Sequence, residues 1–167
     1  MKAVLLFTFL AGVTALFTSC KKFDEMSLEG EQRATQFQEF VQDKRFQVVA
    51  FYADQPIDYI EDDAEVRSEN DLFRYASPWI KDDWNVFDRS SGEVTITQNA
   101  IEINDNPDDT FVRPYNIGAD TEGVYFNFLD YEYNPLRYRV IEFRDNYFIV
   151  YVNWKAGVRL FTRFEVI

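Results

Sequence analysis

The chain has 167 residues, with 17 Lys and Arg against 29 Asp and Glu and a formal charge of −12. Such a surface repels phosphate backbones, so nucleic acid is not expected as a partner. Histidine is absent and cysteine occurs once, which removes the commonest general base and transition-metal ligand and leaves carboxylate, lysine or tyrosine chemistry open. No pair of acids is distinguished by its surroundings as a glycosidase would need, so no enzymatic activity, cofactor or metal is expected.

Met1-Lys2 precedes an uncharged apolar run from Ala3 to Phe17, followed by Thr18-Ser19-Cys20-Lys21-Lys22. A charged start, a short apolar stretch and small residues before a cut site make a secretion signal. The run of about fifteen residues falls short of the roughly twenty that cross a bilayer. Cys20 has no partner for a disulfide, so in an exported chain its thiol is either a liability or chemically used.

Leu16-Phe17-Thr18-Ser19-Cys20 resembles the lipobox of bacterial lipoproteins, with Phe17 where that family prefers leucine. The resemblance implies diacylation of Cys20, cleavage before it and acylation of the new amine. Several acyl chains grip a membrane far better than one, so the expected state is anchored without spanning. Residues 1–19 are then the signal peptide, 20–28 the lipidated tether and 29–167 the folded domain. Lys21 stands where an inner-membrane lipoprotein carries aspartate, which favours the outer membrane. Lys22-Phe23-Asp24-Glu25 is similar to a surface-export tag broken by Phe23, leaving the periplasmic and cell-surface faces both open.

Residues 20–110 hold 9 basic and 22 acidic residues, against 7 of each in 111–167. The acidic excess therefore sits in the front half, where it keeps a tethered domain soluble. Ala34, Phe37, Phe40 and Val41 recur at helical spacing within Glu29 to Asp43, giving one apolar stripe for packing on a sheet. A strand follows from Arg45 to Ala53, then an acidic, irregular stretch from Gln55 to Glu69. Ser68-Glu69-Asn70-Asp71 reads as a capping box opening a short helix through Tyr75, which Pro78 ends.

From Trp84 the period becomes two. Trp84–Asp88 and Glu93–Gln98 flank the turn Arg89-Ser90-Ser91-Gly92 and predict a hairpin. Ile101 to Asn104 extends or follows its second strand, and Asn106-Pro107-Asp108-Asp109 reads as a polar turn, lacking the glycine and distal glutamate of a calcium loop. Further strands are predicted over Thr110–Ile117, Val124–Tyr133, Leu136–Phe143, Tyr147–Trp154 and Val158–Ile167. Short joints make consecutive strands antiparallel. The fold class is therefore mainly β: an antiparallel up-and-down meander or barrel of about eight strands with an N-terminal helix packed on it.

Turn positions predict register. A loop at Lys155-Ala156-Gly157 sets Val152 against Leu160, Val150 against Thr162 and Phe148 against Phe164. A turn at Asp145-Asn146 sets Phe143 against Phe148 and Ile141 against Val150. One at Asn134-Pro135 sets Phe126 against Phe143, Phe128 against Ile141, Asp130 against Arg139 and Glu132 against Arg137. The opposite face then carries Tyr125, Leu129, Tyr131, Tyr133, Tyr138, Val140, Ile149, Tyr151 and Phe161, and the helix stripe is expected to cover part of it.

An export signal, one helix and a strand meander closing in Val158–Phe164 resemble the lipocalin-like domains of small bacterial lipoproteins, over Phe46 to Ile167. The lipocalin Gly-x-Trp signature is absent, with Phe46 in the tryptophan's place. The resemblance implies a binding module that holds a small apolar or amphipathic ligand in the barrel mouth, with Arg137, Arg139, Phe126, Phe128 and Trp154 as candidate ligand residues. Two bland readings stand beside it. The aromatic side chains simply fill a small barrel, and Arg137 and Arg139 simply pair across the strand. A non-catalytic structural or accessory subunit of an outer-membrane complex, presenting its tyrosine-rich or acidic face, is the alternative function.

Overall fold

The computed structural model describes residues 28–60, 66–76, 78–98, 110–129 and 135–167. Within them the chain is mainly antiparallel β, 64% strand with nine strands in one sheet and two helices. Helix α1 covers residues 28–41. Strands β1 (Arg45–Ile60) and β2 (Val66–Asp71) come next, then a 3-10 turn at Phe73–Tyr75 and α2 (Pro78–Asp82). The remaining strands are β3 (Trp84–Asp88), β4 (Glu93–Thr97), β5 (Thr110–Asp120), β6 (Gly123–Leu129), β7 (Pro135–Arg144), β8 (Tyr147–Asn153) and β9 (Arg159–Val166).

Neighbours in the sheet run β2-β1-β3-β4-β5-β6-β7-β8-β9, and β9 also pairs with β1. Phe46 lies between Asn85 of β3 and Val166 of β9, and Gln47 between Trp84 and Glu165. The pairing circuit through β1 and β3 to β9 is thus closed. Farther along β1, where β3 has ended, β2 takes its place, with Tyr52 opposite Asp71. Asp54 fastens the β1–β9 seam: it accepts hydrogen bonds from the Arg159 backbone N–H at 3.0 Å and from Arg159 Nε at 2.8 Å.

Helix α1 ends where Asp43 takes a left-handed conformation (φ 58°), a role that short polar residues fill at helix C-termini. Its stripe packs on the phenylalanine face of the sheet, not on the tyrosine face anticipated for it. Phe37 meets Phe143 at 5.3 Å and Phe148 at 5.4 Å between ring centroids, and Phe40 meets Phe46 at 5.9 Å. Behind them Phe46 stands edge-on to Phe148 at 5.0 Å and Phe87 edge-on to Phe126 at 5.7 Å. Phe46, Phe148, Val94 and Val150 have no exposed surface. At about 1.5–3 kcal/mol for each large apolar side chain taken from water, this cluster is the main store of stability.

The β3–β4 hairpin, the β8–β9 register and the Phe143–Phe148 pair match the sequence expectation. Three elements differ. Strand β1 runs on to Ile60, and β2 occupies part of the stretch expected to be irregular. Ser68–Asp71 belongs to β2 instead of opening a helix; Asp71 accepts from the Phe73 N–H at 3.0 Å, so the cap serves only a 3-10 turn, and Pro78 begins α2 instead of ending a helix. Proline suits a first helical position, where its missing N–H costs nothing.

The third difference is the β6–β7 register. Pro135 is the first residue of β7 and faces Leu129, so Phe126 pairs with Tyr138 and Phe128 with Leu136. Arg139 lies between Tyr125 and Tyr151 and Arg137 opposite Asn127, not opposite Asp130 and Glu132. A change of odd length flips a strand's faces. Tyr138 and Val140 accordingly join the phenylalanine core. A bulge between Val140 and Glu142 flips the strand back, so Val140 faces Val150, Ile141 is 40% exposed and Phe143 still points inward. Residues 99–109 and 130–134, with the expectations placed on them, lie outside the described residues.

Candidate functional site

The candidate ligand residues do not converge. Phe126 is buried in the core at 4% exposure and Phe128 packs against it. Arg137 and Arg139 stand on the opposite, outer face of the sheet, over the Tyr125 ring at 4.2 and 5.8 Å. Trp154 is 51% exposed in the β8–β9 turn, with Lys155 Nζ 5.7 Å from its ring. Cys20 lies outside the described residues.

The arginines serve the outer face itself. Arg139 Nη1 is 2.6 Å from Asp120 and its Nη2 is 2.7 Å from Glu122. Arg137 Nε donates to Asn127 Oδ1 at 3.0 Å and its Nη1 is 3.5 Å from Asp120. The hydrogen bond from Arg139 holds the Asp120 carboxyl below the usual carboxylate range, and Asp120 in turn raises Arg139. Both partners thus agree that the pair is ionised. Pairing is one of the two roles expected of these arginines, but the acids are Asp120 at the end of β5 and Glu122 in the turn after it.

Inside the sheet, the phenylalanine cluster packs against the α1 stripe. The inner face also carries Arg113, 9% exposed, with its guanidinium 5.7 Å from the Phe111 ring and Nη1 donating to Val112 O at 2.9 Å. Alternation in β5, which places Arg113 between Phe111 and Tyr115, was the available signal for that position.

A cleft does open at the rim that α1 covers. Its volume is about 560 Å³, and it lies between the first turns of α1, the β5–β6 turn and the β7 bulge. Ala119, Val124, Val140 and Ile141 give it apolar walls, while Glu29, Arg33, Asp120, Thr121 and Glu122 supply polar groups. Gly30 brings helix and sheet together: a Cβ there would stand 3.1 Å from the Ala119 Cβ. Arg33 reaches across, its Nη2 donating to the Ile141 carbonyl at 2.9 Å. That carbonyl belongs to the bulge, where a residue drops out of ladder pairing. Sequence reasoning missed the cleft because the bulge leaves no mark in a two-residue period.

Among the described residues no group of three acids, histidines or cysteines is placed to hold a metal, and no helix is long and apolar enough to cross a membrane. Comparison with family models, curated proteins and solved structures finds no match to this chain.

Proposed function

We propose that this is an envelope lipoprotein, anchored through Cys20 to the outer membrane, whose β domain binds a small amphipathic molecule without catalysis. The cleft at α1 carries the binding reading: its volume falls in the range of small-molecule sites, about 300–1,000 Å³, and it combines apolar walls with a few polar groups. The ligand therefore sits at the helix-covered rim, outside the packed interior. The signal-like N-terminus and its lone cysteine support the anchor.

Two measurements test this reading. Cys20→Ser should abolish labelling by a fatty-acid analogue and leave an unprocessed precursor; unchanged processing would refute the anchor. The neutral fluorophore N-phenyl-1-naphthylamine, titrated into the full chain in phosphatidylcholine nanodiscs against empty discs, should bind saturably. Ile141→Trp, at a position already exposed, should weaken that binding about tenfold by filling the cleft. Equal binding by the variant would remove the cleft from the account.

A second reading rests on the outer face. Phe161 stacks on Tyr52 at 5.1 Å with only 7° between the rings, and Tyr151 lies 5.6 Å from Phe161. Aromatic groups of this kind suit an accessory subunit that docks on another envelope protein.

A further inference from the structure

The charges around the cleft are not equally committed. Asp120 and Glu122 are both held by Arg139 from the outer face, at 2.6 and 2.7 Å. Arg33 makes one hydrogen bond among the described residues, and its acceptor is a neutral carbonyl, Ile141 O. Its guanidinium also stands over the Phe143 ring at 6.0 Å, the outer limit of a cation–π contact. Glu29 stands one turn earlier on the same helix and also lines the cleft. A glutamate four residues before an arginine is well placed to pair with it, yet such exposed pairs are weak. The guanidinium thus lies beside an apolar-walled cleft with most of its fork available, and a planar carboxylate fits that fork with two parallel hydrogen bonds.

From this we infer that the ligand is an amphiphile with a carboxylate head, its head on Arg33 and its chain against Val124, Val140 and Ile141. The inference rests on the binding reading above and adds the head group to it. Acids more than about 8 Å away are largely screened at physiological salt, so the opposition to an anion comes from the acids that line the cleft. Of the three acids that line the cleft, Arg139 holds Asp120 and Glu122, which leaves Glu29 as the competitor for Arg33 among the described residues.

Titration calorimetry of the full chain in phosphatidylcholine nanodiscs, with empty discs as the blank, separates the possibilities using octanoate, octan-1-ol and octylamine. Octanoate should bind at least fivefold more tightly than octanol. Arg33→Gln should erase that preference while leaving octanol binding in place, and Glu29→Gln should tighten octanoate severalfold. Stronger binding of octylamine than of octanoate, or octanoate binding unchanged in Arg33→Gln, would overturn the head-group assignment alone. Absence of binding by all three would overturn the cleft reading with it.

Discussion

Tyr125 lies across Gly118: a Cβ on the glycine would stand 2.6 Å from the tyrosine hydroxyl oxygen. The two residues are directly paired between β5 and β6, and Arg137 stands over the same ring at 4.2 Å. Glycine in a strand gives up packing and costs entropy, so a ring laid over it recovers part of the loss.

Gly118→Ala should therefore destabilise the domain by about 1 kcal/mol, because the ring must leave its place beneath Arg137. In a Tyr125→Ala background the same change should be neutral or should stabilise by about 0.5 kcal/mol, the ordinary gain of alanine over glycine. Urea midpoints of the four proteins check this. The expected sign reversal depends on the ring, so its absence would mean that backbone alone decides the effect.

Phe148 touches Phe37, Phe46, Phe87 and Phe164 through their rings, at 4.5–6.2 Å. Phe148→Ala should cost about 3–5 kcal/mol as a buried aromatic truncation, measured by equilibrium unfolding. Phe37→Ala should cost a similar amount and, in addition, raise amide exchange along α1 before that of the strands. Uniform exchange in that variant would show that helix and sheet open as one unit.

The Asp120–Arg139 pair should be visible as a coupling and as a pH effect. With Arg139 at 12% and Asp120 at 32% side-chain exposure, a double-mutant cycle of Asp120→Asn with Arg139→Gln should give about 1 kcal/mol, between exposed and buried pairs. Asp120 is depressed chiefly by the hydrogen bond from Arg139, so the unfolded chain takes up its proton first. Its contribution should be complete above about pH 5 and disappear as pH falls through the lowered native value. Asp120→Asn should flatten that part of the acid decline in unfolding midpoints recorded from about pH 6 to pH 2.

Ala156 is held at φ 56° in the β8–β9 turn, a conformation that costs a residue with a Cβ roughly 1–2 kcal/mol. Ala156→Gly should relieve that cost, offset in part by the greater freedom of glycine in the unfolded chain. A net gain of about 0.5 kcal/mol is expected in thermal or urea unfolding. A loss would show that the Ala156 methyl contributes packing of its own.

What the residues announced and what they concealed follow from how turns are written. Arg89–Gly92, Asp145-Asn146 and Lys155–Gly157 carry residues suited to positive φ or tight reversal, and observed positive φ at Gly92, Asp145, Ala156 and Gly157 matches them. The registers nearest them were legible, although past Phe143 the bulge sets Val140, not Ile141 as expected, against Val150. Asn134-Pro135 misleads, because a proline that usually punctuates a loop here opens a strand, where its missing N–H is tolerated. That one displacement moved Tyr138 and Val140 to the wrong face. The bulge at Ile141 then restored Phe143, a correction no alternation pattern reveals. The cleft depends on both features and on Gly30 meeting Ala119, a contact across about 90 residues of sequence, so no local signal pointed to it.

The β1–β9 seam governs when this fold can finish. Phe46 and Val166, its outermost pair, are about 120 residues apart in sequence, so nearly the whole chain must be available before the first strand meets its last neighbour. Distant pairing of this kind slows folding, since loop closure precedes the contacts that reward it. A chain delivered N-terminus first therefore holds β1, rich in valine, phenylalanine and tyrosine, with one edge waiting. Net charge far from zero, here −12, opposes association of like chains while that edge is open.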